Sequence, residues 1–224
     1  PHTRWPVRPR RRSRMRDAIT PLDRDRLVKR GLWLAALTIT WNVIEAVVAI
    51  SAGIAAGSLA LVAFGFDSII EVLSAWVVVW QFRGELRGGY DEERERKALK
   101  AIAVTFFVLA AYVVFEAGRD LLFTDGQADE STIGIVLAAL SLAVMPTLAW
   151  AKRRTAIDLG SPTLRADAQE TFLCAWLSAA LLAGLVLNAT LGWWWADSLA
   201  ALAIAGLAVK EGREAWEGDH CDDD

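Results

Sequence analysis

Histidine and cysteine are scarce in this sequence, with two of each among its 224 residues. Neither histidine lies in an apolar stretch, and no Ser/Lys or Ser/His dyad occurs within one. An intramembrane hydrolase built on such a dyad is therefore excluded, and no enzymatic activity is expected. Cys174 and Cys221 stand at different depths or on opposite sides of the topology derived below, which excludes a disulfide framework. No cleavage-site pattern follows the first apolar stretch, so no signal peptide is expected. Basic residues are missing from the connectors at 53–57, 124–131 and 190–192. The net charge is −3, and no nucleic-acid partner is expected.

What the chain has in abundance is apolar sequence, 54% beside 23% charged residues, and the two classes are segregated into blocks. Six apolar blocks run over residues 32–52, 58–80, 102–122, 133–150, 171–189 and 194–209. Each approaches or exceeds the roughly 20 residues that cross a ~30 Å hydrocarbon core. They are too long and too unalternating for barrel strands, so the expected fold is all-α: a polytopic, six-transmembrane-helix bundle embedded in the lipid bilayer. Lys and Arg number 11 before the first block, 6 over 83–100, 4 over 152–165 and 2 after the last block. By the positive-inside rule both termini are cytoplasmic, and the plasma (cytoplasmic) membrane is the expected location. Residues 1–30, with Arg10-Arg11-Arg12, are expected to form a disordered basic arm, 31–214 the membrane domain and 215–224 a short acidic tail. The chain starts at Pro1, and Met15 is a candidate initiator.

Inside the second block stand Asp67 and Glu71, four positions apart and so on one helix face. An acidic side chain at the bilayer centre costs about 2.5–3.5 kcal/mol on insertion scales, which makes such a pair a functional-site hypothesis. In the first block, Glu45 is a candidate path-lining group or a hydrogen-bonding partner of a neighbouring helix, and Asn42 is expected to join helices. The fifth block is entered through Asp167, Glu170, Thr171 and Cys174, where Glu170 and Cys174 repeat the four-residue spacing. Both pairs run on into a Leu-Ser-Ala step, three spans apart, as an inverted repeat would. Elsewhere, 91–97 reads as a solvated helical extension, Glu116 with Arg119 as an interfacial ion pair, Asp197 as a helix cap, and Pro146 as a bend in the fourth span.

Two facing helices with such pairs supply the four N, S or O ligands that zinc commonly takes. Asp67, Glu71, Glu170 and Cys174 fit that count if the fifth helix starts around Pro162 or Leu164, so that the depths agree. Asp167 with Thr171 is a competing register. A carboxylate-rich site also suits manganese or iron. An empty cluster of carboxylates repels itself and holds protons, which metal would release; this gives a route to metal/proton exchange.

Gly57-Ser58-Leu59-Ala60-Leu61 followed by Asp67-xxx-Glu71 resembles the second-helix signature of the cation diffusion facilitator family of divalent-metal/proton antiporters. Leu164-Arg165-Ala166-Asp167-Ala168 leads to Glu170-xxx-Cys174 where that family has His-xxx-Asp. Ala196-Asp197 and the run through Ile204-Ala205 to Glu211-Gly212 are similar to its sixth helix. The resemblance, covering about 32–214, implies export of a divalent cation, zinc foremost, in exchange for protons, with no permanently bound cofactor. The family's usual cytoplasmic domain has no room in the short tail, so a homodimer would rest on membrane helices. A rival class is a non-transporting metal sensor or partner-binding subunit on the same scaffold.

Overall fold

The computed structural model describes residues 21–56, 59–123, 132–191 and 196–217. Six helices account for nearly all of them: α1 (Pro21–Ala56), α2 (Leu59–Gly88), α3 (Glu92–Phe123), α4 (Thr132–Leu159), α5 (Pro162–Leu191) and α6 (Ala196–Glu217). No strand occurs among the described residues. Of the disordered arm expected over 1–30, residues 21–30 instead form the start of α1, and residues 215–217 of the expected tail end α6; residues 1–20, 57–58, 124–131, 192–195 and 218–224 and the side chain of Asp197 lie outside the description.

The helices overrun the apolar blocks toward the end that carries the basic residues. α4 does not stop at Trp150 but continues through Lys152, Arg153 and Arg154 to Leu159. α5 starts at Pro162, as the depth argument for its ligands requires. The connectors at this end shrink to a few residues, built by local capping chemistry. Gly160 takes a φ of 66°, a left-handed conformation that glycine adopts without Cβ strain, and Ser161 N–H reaches back to the Ala156 carbonyl at 3.0 Å. The Ser161 hydroxyl then accepts from Leu164 N–H at 3.4 Å, and Pro162 fills the first helical position, where a missing N–H costs nothing. Asp91 caps α3 in the same way, accepting from Glu93 N–H at 3.0 Å. The solvated extension expected there is present, with Glu93 paired to Lys97 at 2.8 Å; that lysine holds the Glu93 carboxyl below its ordinary range. Its inner face is not solvated, because Glu95 is buried and accepts from the Tyr90 hydroxyl at 2.6 Å.

α1 packs along α2, α4 along α5, and α3 along α6, while α2 and α5 meet across the middle. At Gly65 the α1 backbone comes so close that a Cβ would stand 2.5 Å from Ile50 Cγ1 and 3.2 Å from the Ala46 carbonyl. This close approach sets the α2 turn that carries Asp67 against Glu45. The outer surface is apolar: Trp33, Val47, Ile54, Trp76, Phe115, Trp150 and Trp176 are all at least half exposed. The interior holds Glu45, Glu71, Lys152, Asp167 and Glu170 at 2% exposure or less. An apolar exterior around a charged interior inverts the pattern of a water-soluble domain and suits lipid. Within the described residues, α1 to α4 each contain a stretch long and apolar enough to cross a bilayer. α5 spends its first turns on Arg165, Asp167 and Glu170. The molecule is a polytopic all-α membrane protein.

Two apolar layers bound the charged interior. Ala49, Leu61, Phe64 and Leu137 close it toward the end where α2 and α4 begin, and a larger cluster including Val28, Phe82, Phe106 and Leu164 closes it toward the basic end. Arg24 ties the start of α1 to the end of α2, pairing with Glu85 at 2.6 Å and lying over the Tyr90 ring. The ion pair expected between Glu116 and Arg119 forms near the far end of α3.

Candidate metal centre

The buried polar side chains form a column between the two apolar layers, and helical periodicity explains its composition. On α2 the inward positions are Asp67, Ser68, Glu71 and Ser74; on α5 they are Asp167, Glu170, Thr171, Cys174 and Ser178. α1 adds Asn42 and Glu45, α3 adds Thr105, and α4 adds Ser141 and Lys152. From Ser68 to Ser74 the column rises about 9 Å along α2.

Its outer level joins α1 to α2. Ser68 Oγ donates to Glu45 Oε2 at 3.2 Å, while Glu45 Oε1 and the nearby Ser141 Oγ have no hydrogen-bond partner. Of the two roles considered for Glu45, the hydrogen bond to a neighbouring helix is present, through Oε2. Asn42 does not join helices as expected: its amide donates to the Thr38 carbonyl of its own helix at 3.0 Å, and its Oδ1 is unpartnered.

At the middle level Cys174 of α5 neighbours Asp67 and Glu71 of α2. Asp67 Oδ2 and both oxygens of Glu71 are buried without a hydrogen-bond partner. Glu170 neighbours Ser74 and Glu71 of α2, and Thr105 Oγ1 of α3 stands 3.1 Å from its Oε2; its Oε1 has no hydrogen-bond partner. Among the described residues, no three His, Cys, Asp or Glu side chains converge closely enough to hold a metal ion as they stand.

The inner level belongs to the competing register and holds a residue the sequence reading passed over. Lys152 Nζ approaches Asp167 Oδ2 at 2.8 Å, with both side chains fully buried. Its aligned hydrogen bond goes instead to Thr171 Oγ1, also at 2.8 Å, so the contact with Asp167 is one of charge. Thr171 in turn donates to the Asp167 carbonyl at 3.1 Å, and Ser74 Oγ donates to Asp167 Oδ1 at 3.1 Å. By sequence position alone Lys152 counts as a connector charge and a topology signal. The available clue was spacing: Ser141, Met145, Ala149, Lys152 and Ala156 follow one another at three- and four-residue steps along the buried face of α4. The two Leu-Ser-Ala steps also diverge in use, since Ser178 bonds back to the Cys174 carbonyl at 3.0 Å rather than across to α2.

The sequence pattern of the cation efflux transmembrane domain matches residues 97–217, more than half of the chain. The chain belongs to the cation efflux family. An uncharacterized transporter of Synechocystis is 26% identical over 169 residues, 73% of this chain and 53% of that protein. The cation-efflux pump FieF of Shewanella oneidensis is 26% identical over 154 residues, 66% of this chain and 52% of the pump. Transmembrane protein 163 of Xenopus laevis is 25% identical over 103 residues, 46% of this chain and 36% of that protein. The chain thus spans about half the length of the first two of these relatives. The cation efflux match covers α3 to α6 and with them Glu170 and Cys174; Asp67 and Glu71 precede it.

Proposed function

We propose that this cation efflux chain moves a divalent metal cation across the membrane, with Asp67, Glu71, Glu170 and Cys174 as its ligands between α2 and α5. The observation that carries the reading is the set of unpartnered acceptors in the column: Glu45 Oε1, Asp67 Oδ2, both Glu71 oxygens and Glu170 Oε1 are buried without a donor. Buried carboxylate oxygens without donors are expensive, and a transported cation or protons would satisfy them. Zinc is the favoured cargo, because a thiol joins the carboxylates; manganese and iron suit the oxygen donors. Ligation would require Glu170 to swing from Thr105 toward Glu71, a change between two packings of α5 against α2 and α3. Metal in one state and protons in the other give an antiport cycle, with Glu45 and Asn42 above the site and Asp167 and Thr171 below it as path groups. Export is the favoured direction, by analogy with the cation-efflux pump FieF, and the plasma membrane the favoured location.

The test is flux of Zn²⁺, Mn²⁺ and Fe²⁺ in proteoliposomes, for the intact chain and for D67N with E71Q. Flux abolished by the double substitution supports the site; flux left intact by it ends the assignment. Metal binding without flux of any of the three would favour the sensor reading, for which the absence of three converged ligands among the described residues speaks.

A further inference from the structure

Among the described residues of the column, Lys152 is the one charged group that the transport reading does not use. It stands on α4 with no exposed surface, held by Asp167 at 2.8 Å and Thr171 at 2.8 Å, both on α5. Glu71, whose two oxygens have no hydrogen-bond partner, is the next carboxylate within its field. Thr171, which the ammonium touches, directly follows Glu170 on α5, so a charge on a flexible four-carbon stem sits at the inner edge of the proposed ligands, where it acts on both Asp167 and Glu71.

We propose that Lys152 is a tethered cation that competes with the cargo: its fixed positive charge at the inner end of the column balances the carboxylates when no metal is bound and weakens metal binding when it is. The inference rests on the metal-site reading above and adds an affinity-setting role to it. A transport site must bind firmly enough to load and weakly enough to release, and a like charge held near the site lowers affinity without altering a ligand. Asp167 restrains the ammonium and thereby moderates the repulsion, so Asp167 is a positioning residue here rather than a ligand.

The experiment is Zn²⁺ titration by calorimetry of the full chain in nanodiscs, at fixed pH and salt, with thermal unfolding followed in parallel. K152M is expected to bind Zn²⁺ about tenfold more tightly or better, because a unit charge is removed from a low-dielectric interior. D167N is expected to bind more weakly, because it frees the ammonium to face the site. Combining K152M with D167N should return affinity to within about threefold of the wild type, since the net charge of the column is then restored. A purely structural ion pair gives another pattern: both single variants lose stability and affinity together, and the double regains both. K152M is expected to lose stability while gaining affinity, so unchanged or weaker binding by folded K152M, whatever its unfolding temperature, overturns the proposal. If K152M fails to fold, D167N and the double variant decide, and a double that stays as weak as D167N makes Asp167 a direct ligand and overturns it too. D67N with E71Q binding Zn²⁺ like the wild type would instead bring down the metal site itself.

Discussion

The α2 and α5 faces of the column contain the same kinds of residue and are in opposite states. On α2, Asp67 and Glu71 leave three carboxylate oxygens with no partner. On the inner turn of α5, Asp167 is engaged by Ser74 and Lys152, and Thr171 by Lys152. Burial alone does not separate them, because Asp67, Glu71, Asp167 and Thr171 are all at most 5% exposed. Partners do. A carboxylate already neutralised by an ammonium and a hydroxyl has little to gain from a metal, whereas one left bare in the same dielectric has much. On the proposed transport reading, cargo binding falls to the α2 pair and architecture to the inner turn of α5, with Glu170 and Cys174 between the two.

The sharpest way to break this division is to neutralise each side in turn. D67N or E71Q alone should lower metal flux by at least about 100-fold, more than the 10- to 100-fold typical of groups that merely orient ligands. Should either variant transport normally while D167N does not, the assignment is reversed. Next in size is the intermediate pair: C174A and E170Q should each slow flux measurably, and T105V, which removes the hydroxyl beside Glu170, by about tenfold as an orienting loss. Equal fluxes for E170Q and the wild type would remove Glu170 from the site. On the architectural side, removing only Lys152 should cost about 3–5 kcal/mol of stability, since it leaves a buried carboxylate unpaired. Removing Lys152 and Asp167 together should recover most of that in a thermal unfolding series. G65A should cost about 1–3 kcal/mol through overpacking against Ile50 and shift the α1 and α2 contact beside Glu45. R119Q, at the partly exposed pair with Glu116, should change stability by about 1 kcal/mol or less.

Much of this architecture was legible in the chain itself. Six long apolar blocks dictate a helical bundle, because a backbone in hydrocarbon must satisfy its own hydrogen bonds. The four-residue spacings of Asp67 with Glu71 and of Glu170 with Cys174 dictate which helix faces look inward. The match over residues 97–217 shows the family, although the α2 motif that first suggested it precedes the matched segment.

Tertiary structure alone decided which of those inward groups are free. Lys152 follows Trp150 at the edge of an apolar block and precedes Arg153 and Arg154, so its charge reads as a loop signal until α4 is seen to continue to Leu159 and to turn Lys152 inward onto Asp167. Glu170 is equally a ligand by spacing, and only the packing of α3 against α5 offers it Thr105 instead. Sequence periodicity specifies the face on which a side chain lies within a helix. Whether that side chain finds a partner depends on what the neighbouring helices bring to the same depth, and depth is set by packing between segments far apart in the chain.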